Sequence, residues 1–173
     1  ISVAVNAISR RAILAAAESE TLRAFVRRHG MRFGAKRFVA GETFESVAPV
    51  LRELNEKGLL TNTTLLGEGV RVPAETRAVV EEYKRVFDGI HRESLRTNIA
   101  IKPTHLGLAL DEELAYENVA ALAAHAAVHG NFVRMDMEES RYVDPTLAVY
   151  RRLRAAGVDN VGIVLQAYLH RTE

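Results

Sequence analysis

The chain has 173 residues, 48% of them apolar, enough to bury one core and at odds with a disordered or low-complexity chain. Its 23 basic and 22 acidic residues nearly cancel, so no net field draws it to nucleic acid or to an anionic bilayer. The absence of cysteine excludes disulfides and thiolate metal sites and suits a reducing cytoplasm, and no apolar run approaches the roughly 20 residues that span a bilayer.

Residues 1–36 read as a helical lead-in, with Ile8, Ile13, Leu14, Leu22, Phe25 and Val26 on apolar faces and Gly30 as a stop. From Arg37 to the end, residues 37–173, short β-type runs alternate with long amphipathic helices. The first run is RFVA (37–40), after which Thr43 can cap a helix whose Val47, Val50, Leu51 and Leu54 follow i, i+3, i+4, i+7. LLTNTTLL (59–66) is the second run. Pro73 then opens a helix with Val79, Val80, Tyr83, Val86, Phe87 and Ile90 on one side. NIAIK (98–102) is the third strand candidate, and Asp111 to His129 is an alanine-rich helix broken by Gly130. FVRMD (132–136) is the fourth, and Pro145 starts a further helix that Gly157 ends. NVGIVLQAYL (160–169) is the fifth, a nearly continuous apolar run of the kind buried on both faces. Strands separated by helices of this length predict right-handed βαβ units in a parallel α/β sheet.

Each of these runs ends in a residue that is costly to bury: Glu42, Glu68, Lys102, Asp136 and Gln166. In parallel α/β folds ligands bind at that edge, because the βα loops converge there. Alternation puts Arg134 on the face of Asp136, Ala100 on that of Lys102, and Gly162 and Val164 on that of Gln166. The small residues leave room there for a flat ligand or for the Lys102 and Gln166 side chains to lean inward, and Arg134 is placed to pair with Asp136 and keep it ionised. Any one such charge is ordinarily a solvated strand end. Glu138 and Glu139 read as first-turn acids of the next helix, LGEG as a glycine turn, and Lys102, preceding Pro103, as a residue held extended. His125 and His129 stand at i, i+4, but the sequence suggests no third ligand, so no metal is expected. Phosphate-binding glycine fingerprints and nucleophile elbows are absent from the sequence. From the residues alone, the expectation is part of a parallel (βα) barrel with a polar rim. That leaves open a lyase or aldolase using Lys102 as a Schiff-base amine and a non-catalytic interaction module.

At the same positions the chain resembles the proline dehydrogenase family in its bacterial single-function form. The blocks that carry the resemblance are RFVAGET (37–43), LLGE (65–68), IAIKPTHLGL (99–108), VRMDMEES (133–140) and VGIVLQAYLHRT (161–172). The resemblance implies a (βα)8 barrel of the TIM type, of which this chain carries the first five strands, with strands six to eight beyond it. It further implies FAD at the carboxyl ends of the strands. The implied reaction is the oxidation of L-proline to pyrroline-5-carboxylate by hydride transfer to flavin N5, with electrons passed on to a quinone-type acceptor. The implied location is the cytoplasm, with peripheral contact at the inner face of a membrane. By the same resemblance Lys102 holds the substrate carboxylate, Asp136 lies in the pocket beside substrate and flavin, and Gln166 hydrogen-bonds the flavin ring edge. Glu68 is the substrate gate, and Arg134 supports Asp136 from below. The chain departs from the commoner family pattern at Thr64, Pro103 and His170, where the family often has aspartate, leucine and tyrosine.

Overall fold

A computed structural model of the chain describes residues 39–67 and 70–172 together with Ser19. Two compact units divide it, residues 1–47 and 48–173. The helical reading of residues 1–36 falls, Ser19 apart, outside the described residues, as do Arg37 and Phe38 of the first expected strand. Val39 and Ala40, the rest of that run, are not in a strand.

Helix α1 (Phe44–Glu56) is opened by Thr43, whose Oγ1 accepts from the Ser46 N–H at 3.4 Å while its own N–H donates to Ser46 Oγ at 3.1 Å. Two of the donors that a helix start leaves unpaired are thereby satisfied. The remaining elements follow as β1 (Thr61–Thr63), α2 (Pro73–Arg92), β2 (Thr97–Ile101), a 3-10 turn (Pro103–Leu106), α3 (Glu112–Val128), β3 (Val133–Met135), α4 (Ser140–Ala155), β4 (Val161–Ile163) and a final 3-10 turn (His170–Thr172). All strand pairs are parallel and the strands lie in chain order, β1-β2-β3-β4. A sheet wound in one direction, with a helix in each crossover, is the segment from which a (βα) barrel is built, whereas a doubly wound sheet would reverse its order.

The helices pack on one face of this sheet. Ile99, Ile101, Val133, Met135 and Val161 point at them from the strands, and Tyr83, Phe87 and Ile90 of α2, Val119, Leu122 and Ala126 of α3, and Val149 and Leu153 of α4 complete the buried layer. The 3.6-residue period of α2 places its apolar stripe there as expected. Val50 of α1 departs from the periodic reading and is 39% exposed, while Ala48 and Leu51 are buried.

Asparagines tie the loops that feed the strands. Asn55 Oδ1 accepts from the Arg96 N–H at 2.7 Å, Asn131 Nδ2 donates to Thr97 O at 3.0 Å, and Asn160 Nδ2 donates to Ala123 O at 2.8 Å and Asn131 O at 3.1 Å. Each amide satisfies backbone groups of an adjacent unit that the parallel ladder leaves over.

Two elements differ from expectation. The fifth apolar run keeps only three residues as β4, and beyond it Leu165 is 60% and Tyr168 80% exposed. Among the described residues β4 pairs with β3 alone, so its outer edge and the run beyond it lack the second cover that an apolar run needs to be buried on both faces. Helix α4 starts at Ser140, five residues before Pro145, because the Tyr142 N–H already closes a turn on Glu139 O at 2.8 Å. Pro145 then forfeits one helix hydrogen bond near the start, which the rest of the helix tolerates.

Candidate active site

The inner face of the sheet carries polar residues in register. Asn62 Nδ2 donates to Asn98 Oδ1 at 2.7 Å, and that oxygen also accepts from Arg134 Nη2 at 3.2 Å. Ala100, Arg134 and Gly162 are aligned in the next row. Past the strands the ladder continues, with Asp136 N–H donating to Ile101 O at 2.9 Å and Val164 N–H to Met135 O at 3.0 Å, which sets Lys102, Asp136 and Val164 side by side at the carboxyl rim.

There a cleft of about 550 Å³ opens, lined among others by Lys102, Asp136, Glu138, Arg141, Tyr142 and Gln166. The rim position predicted from the strand ends is therefore occupied by three of the expected residues, Lys102, Asp136 and Gln166. Glu68 lies outside the described residues. Glu42 belongs to the first compact unit and is exposed. Arg134 is absent from the cleft lining.

Arg134 does not form the expected ion pair with Asp136. Its guanidinium turns back along the sheet to Asn98, because the amide oxygen two residues below offers a partner already oriented by Asn62. Burial is the main influence on the Asp136 carboxyl and raises its pKa above the ordinary carboxylate value; the positive charges of Lys102 and Arg134 offset part of that rise. The expected space above Gly162 is also taken. The Phe132 ring lies over it, so that a Cβ at this position would stand 2.8 Å from the ring. Glycine is required here for close approach, and the room for a flat ligand lies nearer the rim.

Lys102 is extended (φ −97°, ψ 118°), as its place before Pro103 dictates, and the 3-10 turn that follows closes with His105 N–H donating to Lys102 O at 3.0 Å. That turn is clamped by Glu138, which accepts from the Thr104 N–H at 2.9 Å and from Thr104 Oγ1 at 2.6 Å. Glu138 is thus no first-turn acid of α4. It bridges the segments after β2 and β3 and fixes the distance between Lys102 and Asp136. Sequence reading missed it because its partner lies 34 residues away; the signal available was a third carboxylate in a run with only one helix to start. Glu139 does sit at the N-cap of α4, without a side-chain cap bond, and pairs with Arg141 at 2.9 Å in an exposed contact of little energy.

Behind the cleft, Tyr83 of α2 is fully buried. Burial raises its phenol pKa, and the negative charges of Asp136 and Glu138 add to the rise. Its hydroxyl approaches Thr64 and the Leu65 backbone without completing a hydrogen bond of ordinary geometry. Gly67 of the LGEG segment is more than a turn: the His105 ring packs against it so closely that a Cβ would lie 2.4 Å from Cε1. The loop after β1 is in this way held against the loop after β2.

Comparison with known proteins bears directly on this cleft. The proline dehydrogenase family model matches residues 47–173, a span that includes all four described strands and the cleft lining. The chain belongs to the proline dehydrogenase family. It is 35% identical over 162 residues to proline dehydrogenase 1 of Bacillus subtilis (strain 168), covering 94% of this chain and 53% of that protein. It is 31% identical over 172 residues to the proline dehydrogenase of Deinococcus radiodurans, covering 97% of this chain and 55% of the relative. The chain therefore spans about half the length of the curated proline dehydrogenases that it matches. Among solved structures, proline utilization A from Bdellovibrio bacteriovorus, inactivated by N-propargylglycine, aligns at a TM-score of 0.72 and 19% identity over 86% of this chain and 18% of that one. At that identity the likeness concerns the fold, and it agrees with a portion of a (βα) barrel.

Proposed function

We propose that the protein oxidises L-proline to pyrroline-5-carboxylate, the opening step of proline catabolism, with FAD as cofactor and a quinone as final acceptor. The observation that carries this reading is the juxtaposition of Lys102 with Asp136 at the rim of one cleft, with Gln166 on the same wall, in a chain of the proline dehydrogenase family.

The residues fit the two ligands. The Lys102 ammonium suits the carboxylate of an amino acid, and the neighbouring Asp136 suits a group that is cationic before oxidation, such as the ring nitrogen of proline. Gln166 presents an amide that both donates and accepts, the requirement for holding the edge of a flavin ring. When bound, FAD supplies the two-electron oxidation that no side chain can perform. The chain's residues supply position and charge: Lys102 fixes the carboxylate, Asp136 orients the nitrogen, and the Glu138 clamp keeps the two at constant spacing. Glu68 is assigned by family resemblance as the substrate gate. The match to the proline dehydrogenase family favours oxidation over a Schiff-base lyase at Lys102. We place the protein in the cytoplasm, with access to membrane quinone through peripheral contact; among the described residues no helix is long and apolar enough to cross a membrane.

Calorimetric titration with tetrahydro-2-furoate, a ring carboxylate that cannot be oxidised in the same way, tests the assignment. Replacing Lys102 with alanine is expected to weaken binding at least tenfold while flavin stays bound, since one charge-assisted contact is worth about 1.5–3 kcal/mol. Unchanged affinity would remove Lys102 from the substrate site.

A further inference from the structure

Far along α2 and α3 from the cleft, a second group of polar side chains converges. His125 stands in the last turn of α3 and His129 at its C-cap, one turn apart on the same face. Both direct Nε2 at a single oxygen, Oδ1 of Asp88 on α2, at 2.7 and 2.8 Å. The two imidazole nitrogens and the carboxylate oxygen all lie within 4.8 Å of one another. The rings are held from behind. His129 stacks on His91 of α2 with centroids 4.5 Å apart, and His125 leans on the buried Phe87 at 6.4 Å. Neither histidine is more than about a quarter exposed in its side chain, whereas Asp88 is half open to solvent and leaves a path for a small ion.

We propose that Asp88, His125 and His129 form a binding site for a borderline-soft dication of the Zn²⁺ class, with water completing the coordination.

The donor set is two neutral imidazoles and one carboxylate, a common three-ligand combination for zinc with an open fourth position. Two histidines at i, i+4 present their rings to one point, and here a second helix contributes the anion that the sequence spacing could not reveal. Zinc–ligand distances of about 2.0–2.2 Å would part the donors to about 3.3 Å, an adjustment that side-chain rotation supplies. The metal would replace the hydrogens now shared between imidazole and carboxylate. Its charge would also lie near the C-terminal ends of two helices, α2 ending at Arg92 and α3 at Val128, where the helix dipoles favour cations. Because each helix runs back before the next strand begins, these ends lie at the amino-terminal edge of the sheet, opposite the cleft. A metal here would cross-link α2 to α3 and act on stability rather than on chemistry.

The test is titration of the metal-free full chain with Zn²⁺ by calorimetry and with Co²⁺ by visible absorption. One equivalent should bind with micromolar or tighter affinity, and Zn²⁺ should raise the thermal midpoint by linkage. Asp88→Asn and His125→Ala should each lose at least tenfold in affinity and most of the thermal shift. Asp88→Asn retains an oxygen that can accept from both rings, so its unliganded unfolding curve separates loss of the ligand from loss of the fold. His170→Asn, remote in sequence from the cluster, should bind as the wild type does. Absence of saturable binding, or affinity unchanged from the wild type in Asp88→Asn and His125→Ala, would overturn the proposal.

Discussion

A carboxyl group placed at the end of a buried strand carries a cost that shows in its titration. Burial raises the pKa of Asp136 above the ordinary 3.8, and Lys102 and Arg134 recover only part of the difference. Between the ordinary value and the raised one, the folded protein binds more protons than the unfolded chain, so stability falls as pH rises through that window and stays lowered above it. Asp136→Asn removes the charge and keeps the shape. It is expected to be more stable than the wild type near neutral pH, with the advantage vanishing in acid below the ordinary carboxylate range, as followed by urea denaturation across pH. The same variant should lose at least tenfold in proline oxidation, because the amide no longer attracts a cationic ring nitrogen. A variant no more stable than wild type at neutral pH would mean that the positive neighbours fully offset burial. The strand-end reading located this aspartate correctly, since a period of two and one charged residue suffice for that. It misjudged Arg134, whose choice of Asn98 over Asp136 depends on a neighbouring strand.

Between elements, the contact that sets the site is Glu138 on Thr104, with two hydrogen bonds joining the loops after β2 and β3. Charge-assisted bonds to a half-buried carboxylate contribute about 1.5–3 kcal/mol each before the cost of desolvation. Glu138→Ala is therefore expected to destabilise the fold by about 2 kcal/mol in chemical denaturation and to raise KM for proline more than it lowers kcat, since the clamp spaces the binding residues and does not touch the reacting bond. A stability loss with unchanged KM would confine Glu138 to folding. Helix faces were the most legible part of the sequence: α2 buries Val80, Tyr83, Val86, Phe87 and Ile90, five of the six residues on its periodic stripe. Contacts between successive βα repeats were not legible. Glu138 with Thr104, Phe132 over Gly162, and Asp88 between two histidines each join residues some 30 to 41 positions apart. Periodicity along one element carries no information about them. The exposed apolar run after β4 was misread for a related reason, since hydrophobicity shows that a strand can be covered and not which element covers it.

For the whole molecule, the in-order parallel sheet brings the described βα loops to one rim, where the cleft lies, while the Asp88 cluster occupies the opposite edge. That separation lets the two proposals fail independently. The parallel order of the strands and the polar character of their ends were readable because each βα unit repeats the same alternation. The central claim is that the rim cleft is a flavin and proline site. Its most direct test is the visible absorption spectrum of the purified protein after incubation with FAD, followed by anaerobic addition of L-proline. A flavin and proline site predicts a retained yellow chromophore that bleaches with proline, and loss of that colour in Gln166→Ala. A protein that stays colourless after incubation with FAD, or whose bound flavin is unchanged by proline, would contradict it.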